Sequence, residues 1–216
     1  MAANEPGVAP RPDSLRRLRL APVVSVVVLV AGAVSLVVLR PRESSAPLPS
    51  AAGAADATWA AGERPAPDFR LTDAYGKPVS IAGLRGRRVI VTFVDPHCTT
   101  FCPRESAVLD DALRQFPVAE RPVVVAVSVD PKTRSLAVLQ KEARRFKWLP
   151  QWRWAAGSAP QLERVWWSYH IQVIPEAGDI GHTEAAYLVD RNGDQRALFL
   201  WPFKASAITT ALKQLA

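Results

Sequence analysis

A chain of 216 residues, 49% of them apolar, has enough apolar material for one ordinary core, which excludes wholesale disorder. The formal charge is +7, yet lysine and arginine are spread along the whole chain and no basic run is interleaved with aromatics. The charge therefore carries no nucleic-acid signature. Two cysteines are too few for a disulfide scaffold, which leaves them as a local device.

The first element is apolar all round. Leu20 to Leu39, LAPVVSVVVLVAGAVSLVVL, holds no charge and has the length of about 20 residues that one helix needs to cross a bilayer. Its apolar core is longer than the roughly 7–15 residues of a cleaved signal peptide. Arg11, Arg16, Arg17 and Arg19 precede it, while Arg40 and Arg42 follow beside Glu43. This excess of arginine predicts a cytoplasmic segment over 1–19, an uncleaved anchor over 20–39, and all that follows outside the cell membrane. Residues 40–65, rich in Ala, Pro, Ser and Gly, read as a flexible linker, and a globular domain is expected over 66–216.

In that domain DFRLTD and KPVSIA are short extended pieces around the turn residues Ala74, Tyr75 and Gly76. The run from Val89 to Val94, VIVTFV, reads as a strand buried on both faces. A helix follows with Leu109, Ala112, Leu113 and Phe116 on one face and Pro103 in its first turn. Val123 to Val129 is a second buried strand. Next come a helix over about 135–147, a third strand at WRWAAG, and a helix whose stripe is Leu162, Val165, Trp166 and Tyr169. EAAYLVD and QRALFLW flank the turn RNGD as a hairpin, and a last helix covers about 205–215. Such alternation predicts an α/β domain with a mixed central sheet flanked by helices. The tryptophans at 148, 152, 154, 166 and 167 read as core and rim.

Cys98 and Cys102 lie between the first buried strand and the helix after it. A helix amino end carries partial positive charge and free N–H groups, which lower a thiol's pKa. The spacing permits a disulfide, a redox couple or joint ligation of a soft metal, and two small core residues are the bland alternative. A metal on two thiolates would take imidazole as a third ligand. His97 adjoins Cys98, His170 closes a helix, and His182 falls in a glycine-rich loop before a strand. Composition and spacing do not choose among these histidines.

The motif FVDPHCTTFCP resembles the Cys-x-x-x-Cys-Pro signature of the Sco/SenC family, and SVDP at Ser128 to Pro131 resembles that family's strand-end motif. GHTEAAYLVDRNG is similar to its late histidine followed by a strand and a glycine turn, and APDFRLTDAYGKPVSIAGLRGR to its opening. The resemblance spans nearly all of residues 66–216. It implies a thioredoxin-like fold binding copper, Cu(I) or Cu(II), through Cys98, Cys102 and His182. Asp130 is implied as a supporting or loop-ordering residue, with a helix N-cap as the alternative. The implied role is delivery of copper to the dinuclear site of cytochrome c oxidase or upkeep of that site's thiols, with the copper-site subunit or another copper protein as partner. Thr99-Thr100 replaces the family's Pro-Asp after the first cysteine, and Asp95-Pro96 replaces its usual pair before His97. These departures leave room for a thiol–disulfide oxidoreductase using Cys98 and Cys102 without obligatory copper. The ordinary redox spacing, however, is one residue shorter. A third reading is a tethered scaffold with a permanent disulfide.

Overall fold

The computed structural model describes residues 55–175 and 180–215. The apolar stretch 20–39 and most of the linker lie outside the described residues. Among the described residues, no helix is long and apolar enough to cross a membrane.

A single eight-stranded sheet organises the domain. In chain order its strands are β1 (Ala57–Thr58), β2 (Leu71–Asp73), β3 (Pro78–Val79), β4 (Val89–Val94), β5 (Val123–Ser128), β6 (Trp152–Ala156), β9 (Ala185–Val189) and β10 (Gln195–Leu200). Their spatial order is β1-β10-β9-β4-β5-β6-β2-β3. β4, β5 and β6 run parallel, and every other pairing is antiparallel. A separate two-stranded ribbon joins β7 (Val173–Pro175) to β8 (Ile180–His182). The helices are α1 (Phe101–Arg114), α2 (Leu136–Arg145), α3 (Ala159–Ser168) and α4 (Ala205–Gln214).

The valine-rich strands sit at the centre because they can be buried on both sides, as a parallel core requires. Along β4, Ile90 and Val94 enter one apolar layer while Val89, Val91 and Phe93 enter the other. The first layer holds Leu109 and Leu113 of α1, Leu139 of α2 and Ile208 and Leu212 of α4. The second holds Leu162, Val165 and Trp166 of α3 with Phe69 and Tyr169. Helices therefore cover both faces, as the alternation of elements requires. Trp148 stacks on Trp152 with ring centres 4.3 Å apart and lies 4.7 Å from Trp154, all within or against the first layer. Trp167 is the exception, left 81% exposed on α3.

The described fold begins before the expected boundary at Ala66. Ala57 and Thr58 pair with Leu198 and Ala197, and the Gln195 N–H donates to the Arg64 carbonyl at 2.8 Å. The cause is an unpaired edge: β10 presents backbone groups that need partners, and the preceding segment supplies them.

Candidate metal and thiol site

β4 ends at Val94, and the six residues before α1 form the loop that carries Cys98. Asp95 starts it with a turn: its Oδ1 accepts from the His97 N–H at 2.9 Å, and its carbonyl accepts from the Cys98 N–H at 3.2 Å. From below, Arg145 at the end of α2 donates to the carbonyls of Pro96 and Cys98, at 3.1 and 3.0 Å. Arg145 is itself held by an ion pair with Glu142 and lies over the Phe146 ring. The loop is thus fixed by the Asp95 carboxylate from within and by Arg145 of α2.

Cys102 is the second residue of α1, and its N–H donates to the Cys98 sulfur at 3.3 Å. A first-turn N–H has no partner inside its own helix, so the sulfur takes the place of a cap. Both thiols are free. Cys98 is pulled down to about 5, chiefly by the hydrogen bond from the Cys102 thiol, then by the N–H groups of Cys102 and Thr100 and the Thr100 hydroxyl, against the opposing effect of burial. Cys102 is pushed far above its usual range by that same bond, by burial and by the neighbouring sulfur's charge. The pair shares one proton: thiolate at Cys98, thiol at Cys102.

Cys98 and His182 line the same cavity, of about 570 Å³, with Thr100, Thr183 and Glu184 and with the exposed side chains of Phe101 and Leu200. Cys102 is fully buried and does not line it. His182 does not sit on a loop. It ends β8, opposite Val173, where the short ribbon fixes its backbone. Its Nδ1 lies 3.1 Å from the Thr183 carbonyl, which can only accept, so Nδ1 is the donor in that contact. That is the arrangement in which a ligating imidazole is oriented by its second nitrogen. Among the described residues, no three acidic, histidine or cysteine side chains are already drawn together around a metal position. The donor chemistry suits a soft metal; closure around one requires the side chains to rotate inward.

The remaining candidates stand elsewhere. Asp130 follows β5 and orders its own turn, accepting from the Lys132 N–H at 2.8 Å and the Thr133 hydroxyl at 2.6 Å. It also lies 3.7 Å from His97 Nε2. The N-cap position of α2 is held by Ser135. The His97 ring turns to Thr133 and Asp130, lining a different cavity with Trp166 and Trp167. His170, in the left-handed region with φ of 56°, lies near Arg64.

One residue escaped sequence reasoning. Glu105, one turn after Cys102, is 1% exposed; its Oε1 accepts from the Thr92 hydroxyl at 2.5 Å, while its Oε2 has no hydrogen-bond partner among the described residues. Burial pushes this carboxyl up to about 8. The available signal was its place four residues before Leu109, on the helix's inward stripe.

A mixed α/β domain with a close thiol pair at a strand-to-helix mouth, and a histidine across the same cavity, defines a thioredoxin-like thiol or metal protein. The SCO1/SenC family model matches residues 59–216, and the chain belongs to that family. The mouse mitochondrial protein SCO2 homolog is 27% identical over 135 residues, covering 58% of this chain and 52% of its own. The chain spans about half the length of the curated relatives it matches. Among solved structures, Bradyrhizobium japonicum ScoI with copper bound superposes with a TM-score of 0.61 at 25% identity, covering 70% of this chain and 99% of that one. BsSco, described as a Sco-family cytochrome c oxidase assembly protein with a disulfide switch, gives 0.62 at 20% identity, covering 75% of this chain and 97% of that one.

Proposed function

We propose that this chain is a membrane-tethered, extracytoplasmic copper-binding protein that holds copper through Cys98, Cys102 and His182. It passes the metal to the dinuclear copper site of cytochrome c oxidase or another copper protein. The observation that carries this reading is the shared cavity of Cys98 and His182, with the Cys102 N–H donating to the Cys98 sulfur. Two sulfurs suit Cu(I), and the imidazole nitrogen extends the set toward Cu(II). Copper in the related ScoI and the assembly role of BsSco support it. The uncharged run 20–39, with arginines before it, supports the tether.

The split protonation of the thiols favours a second reading for the same pair. The Cys98 thiolate attacks one sulfur of a partner disulfide, forming a mixed disulfide and releasing the partner's other thiolate, which takes the proton of Cys102. The Cys102 thiolate then attacks the Cys98 sulfur and releases the partner's second thiolate, so the partner gains two electrons and this pair is oxidised.

Copper loading and disulfide formation compete for the same sulfurs. Reduced full-length protein is expected to take up one copper(I) per chain, and protein whose cysteines have been oxidised none, as measured by metal analysis after desalting. Equal uptake by both samples would refute the copper reading.

A further inference from the structure

Asp95 stands where the family's pattern has another residue, and it does more than start the cysteine loop. Its side chain is only 1% exposed. A carboxylate removed from water needs hydrogen-bond donors, because an unpaired buried charge is strongly unfavourable. One oxygen, Oδ1, takes the His97 N–H inside the loop. The other, Oδ2, takes the N–H of Ile180 at 3.3 Å, across 85 residues of sequence. Ile180 is the first residue of β8, and His182 is its last. One carboxylate therefore joins the segment that carries Cys98 to the strand that carries His182.

We propose that Asp95 is a positioning residue that fastens the His182 ribbon to the cysteine loop and so holds the imidazole at the cavity it shares with Cys98. The ribbon is otherwise short. It has three residues a side, its own sheet rather than the central one, and a small apolar footing in which Val173 and Ile180 pack against the second layer. A two-stranded ribbon of this size holds its place only through contacts to the body of the domain. The Asp95–Ile180 bond is such a contact. It lies within two residues of the proposed ligand, so it governs where the ring sits.

Asparagine separates the two jobs of this side chain. Asp95→Asn keeps a carbonyl oxygen for the His97 N–H, a turn that asparagine makes as readily as aspartate. Where Oδ2 stood it places an NH₂ group, which can only donate, so the Ile180 N–H faces a donor. The loop survives and this hydrogen bond is lost.

The inference rests on His182 being a copper ligand, and the experiment keeps the two claims apart. In the reduced, metal-free full-length protein, Asp95→Asn is expected to speed hydrogen exchange at Ile180, Gly181 and His182 by about tenfold or more. The amides of Val91 and Val125 in the central strands should not change. Copper(I) affinity, read by competition with a chromogenic chelator, should fall about tenfold in the single variant and not at all when His182 is already alanine. Unchanged exchange over 180–182 would overturn the link itself. An equal loss of affinity with and without His182 would overturn its action through the imidazole. A His182→Ala protein that binds copper like the wild type, with exchange still responding to Asp95→Asn, would refute the ligand assignment, and with it Asp95's role toward copper, while leaving the link in place.

Discussion

Replacing either Cys98 or Cys102 by alanine should lower the copper(I) affinity of the reduced protein by more than about a hundredfold, beyond what loss of a merely supporting partner costs. The reason lies in the donor set. With both sulfurs present, a soft ion is chelated by two groups that the helix mouth already holds together. With one removed, it is left with a single thiolate and a borderline nitrogen. The two variants differ in what else they disturb. Cys98→Ala also removes the acceptor of the Cys102 N–H and costs the first turn a cap. Cys102→Ala loses one buried sulfur and leaves a small gap in the layer of Leu109 and Leu113, costing about 1 kcal/mol. Both proteins should remain folded, so circular dichroism and chelator competition on the same samples separate loss of metal from loss of fold. A Cys102→Ala protein that keeps wild-type affinity would remove the second sulfur from the site.

Glu105→Gln should flatten the pH dependence of stability. The folded protein holds the Glu105 proton up to about 8, because burial opposes its charged form, whereas the unfolded chain releases it near the ordinary 4.5. Between those values the unfolded state binds fewer protons. The stability the carboxyl contributes is therefore complete below about 4.5, falls as pH rises through the window, and levels off above about 8. Between about pH 5 and pH 8 the loss is on the order of 3 kcal/mol. Glutamine has no proton to lose, keeps an oxygen for the Thr92 hydroxyl, and should gain on the wild type by that amount across the same interval. Cys98, pulled down to about 5, titrates with the opposite sign and is present in both proteins, so above that pH the difference is chiefly that of Glu105. Denaturant unfolding of the two reduced proteins at the two pH values measures it, and parallel profiles would contradict the raised carboxyl.

Both predictions concern the helix mouth, the part of the site most legible in the sequence. Val89 to Val94 reads as a doubly buried strand and the Leu109, Ala112, Leu113 stripe as a helix, which puts the cysteines between them at a strand-to-helix junction, and both elements are found. Glu105 belonged to that same stripe, but its charge hid its inward direction. Shorter pieces carried no signal of their own. Ala57 and Thr58 are extended because β10 needs an edge partner, and nothing in an alanine-rich stretch announces that. Ile180, Gly181 and His182 are too few to show a period, so their strand follows from pairing with Val173 to Pro175. Asp95 was visible only as a departure from a motif. Its hydrogen bond to Ile180 depends on where two distant segments meet, which no local pattern records.

The central claim is that the imidazole of His182 joins the two sulfurs around one copper ion. X-ray absorption at the copper edge of the loaded full-length protein tests it most directly, with wild type and His182→Ala compared under reducing conditions. The account predicts scattering from two sulfurs in both proteins and an imidazole signature in the wild type that vanishes in the variant. An imidazole signature of equal strength in the two proteins would contradict it.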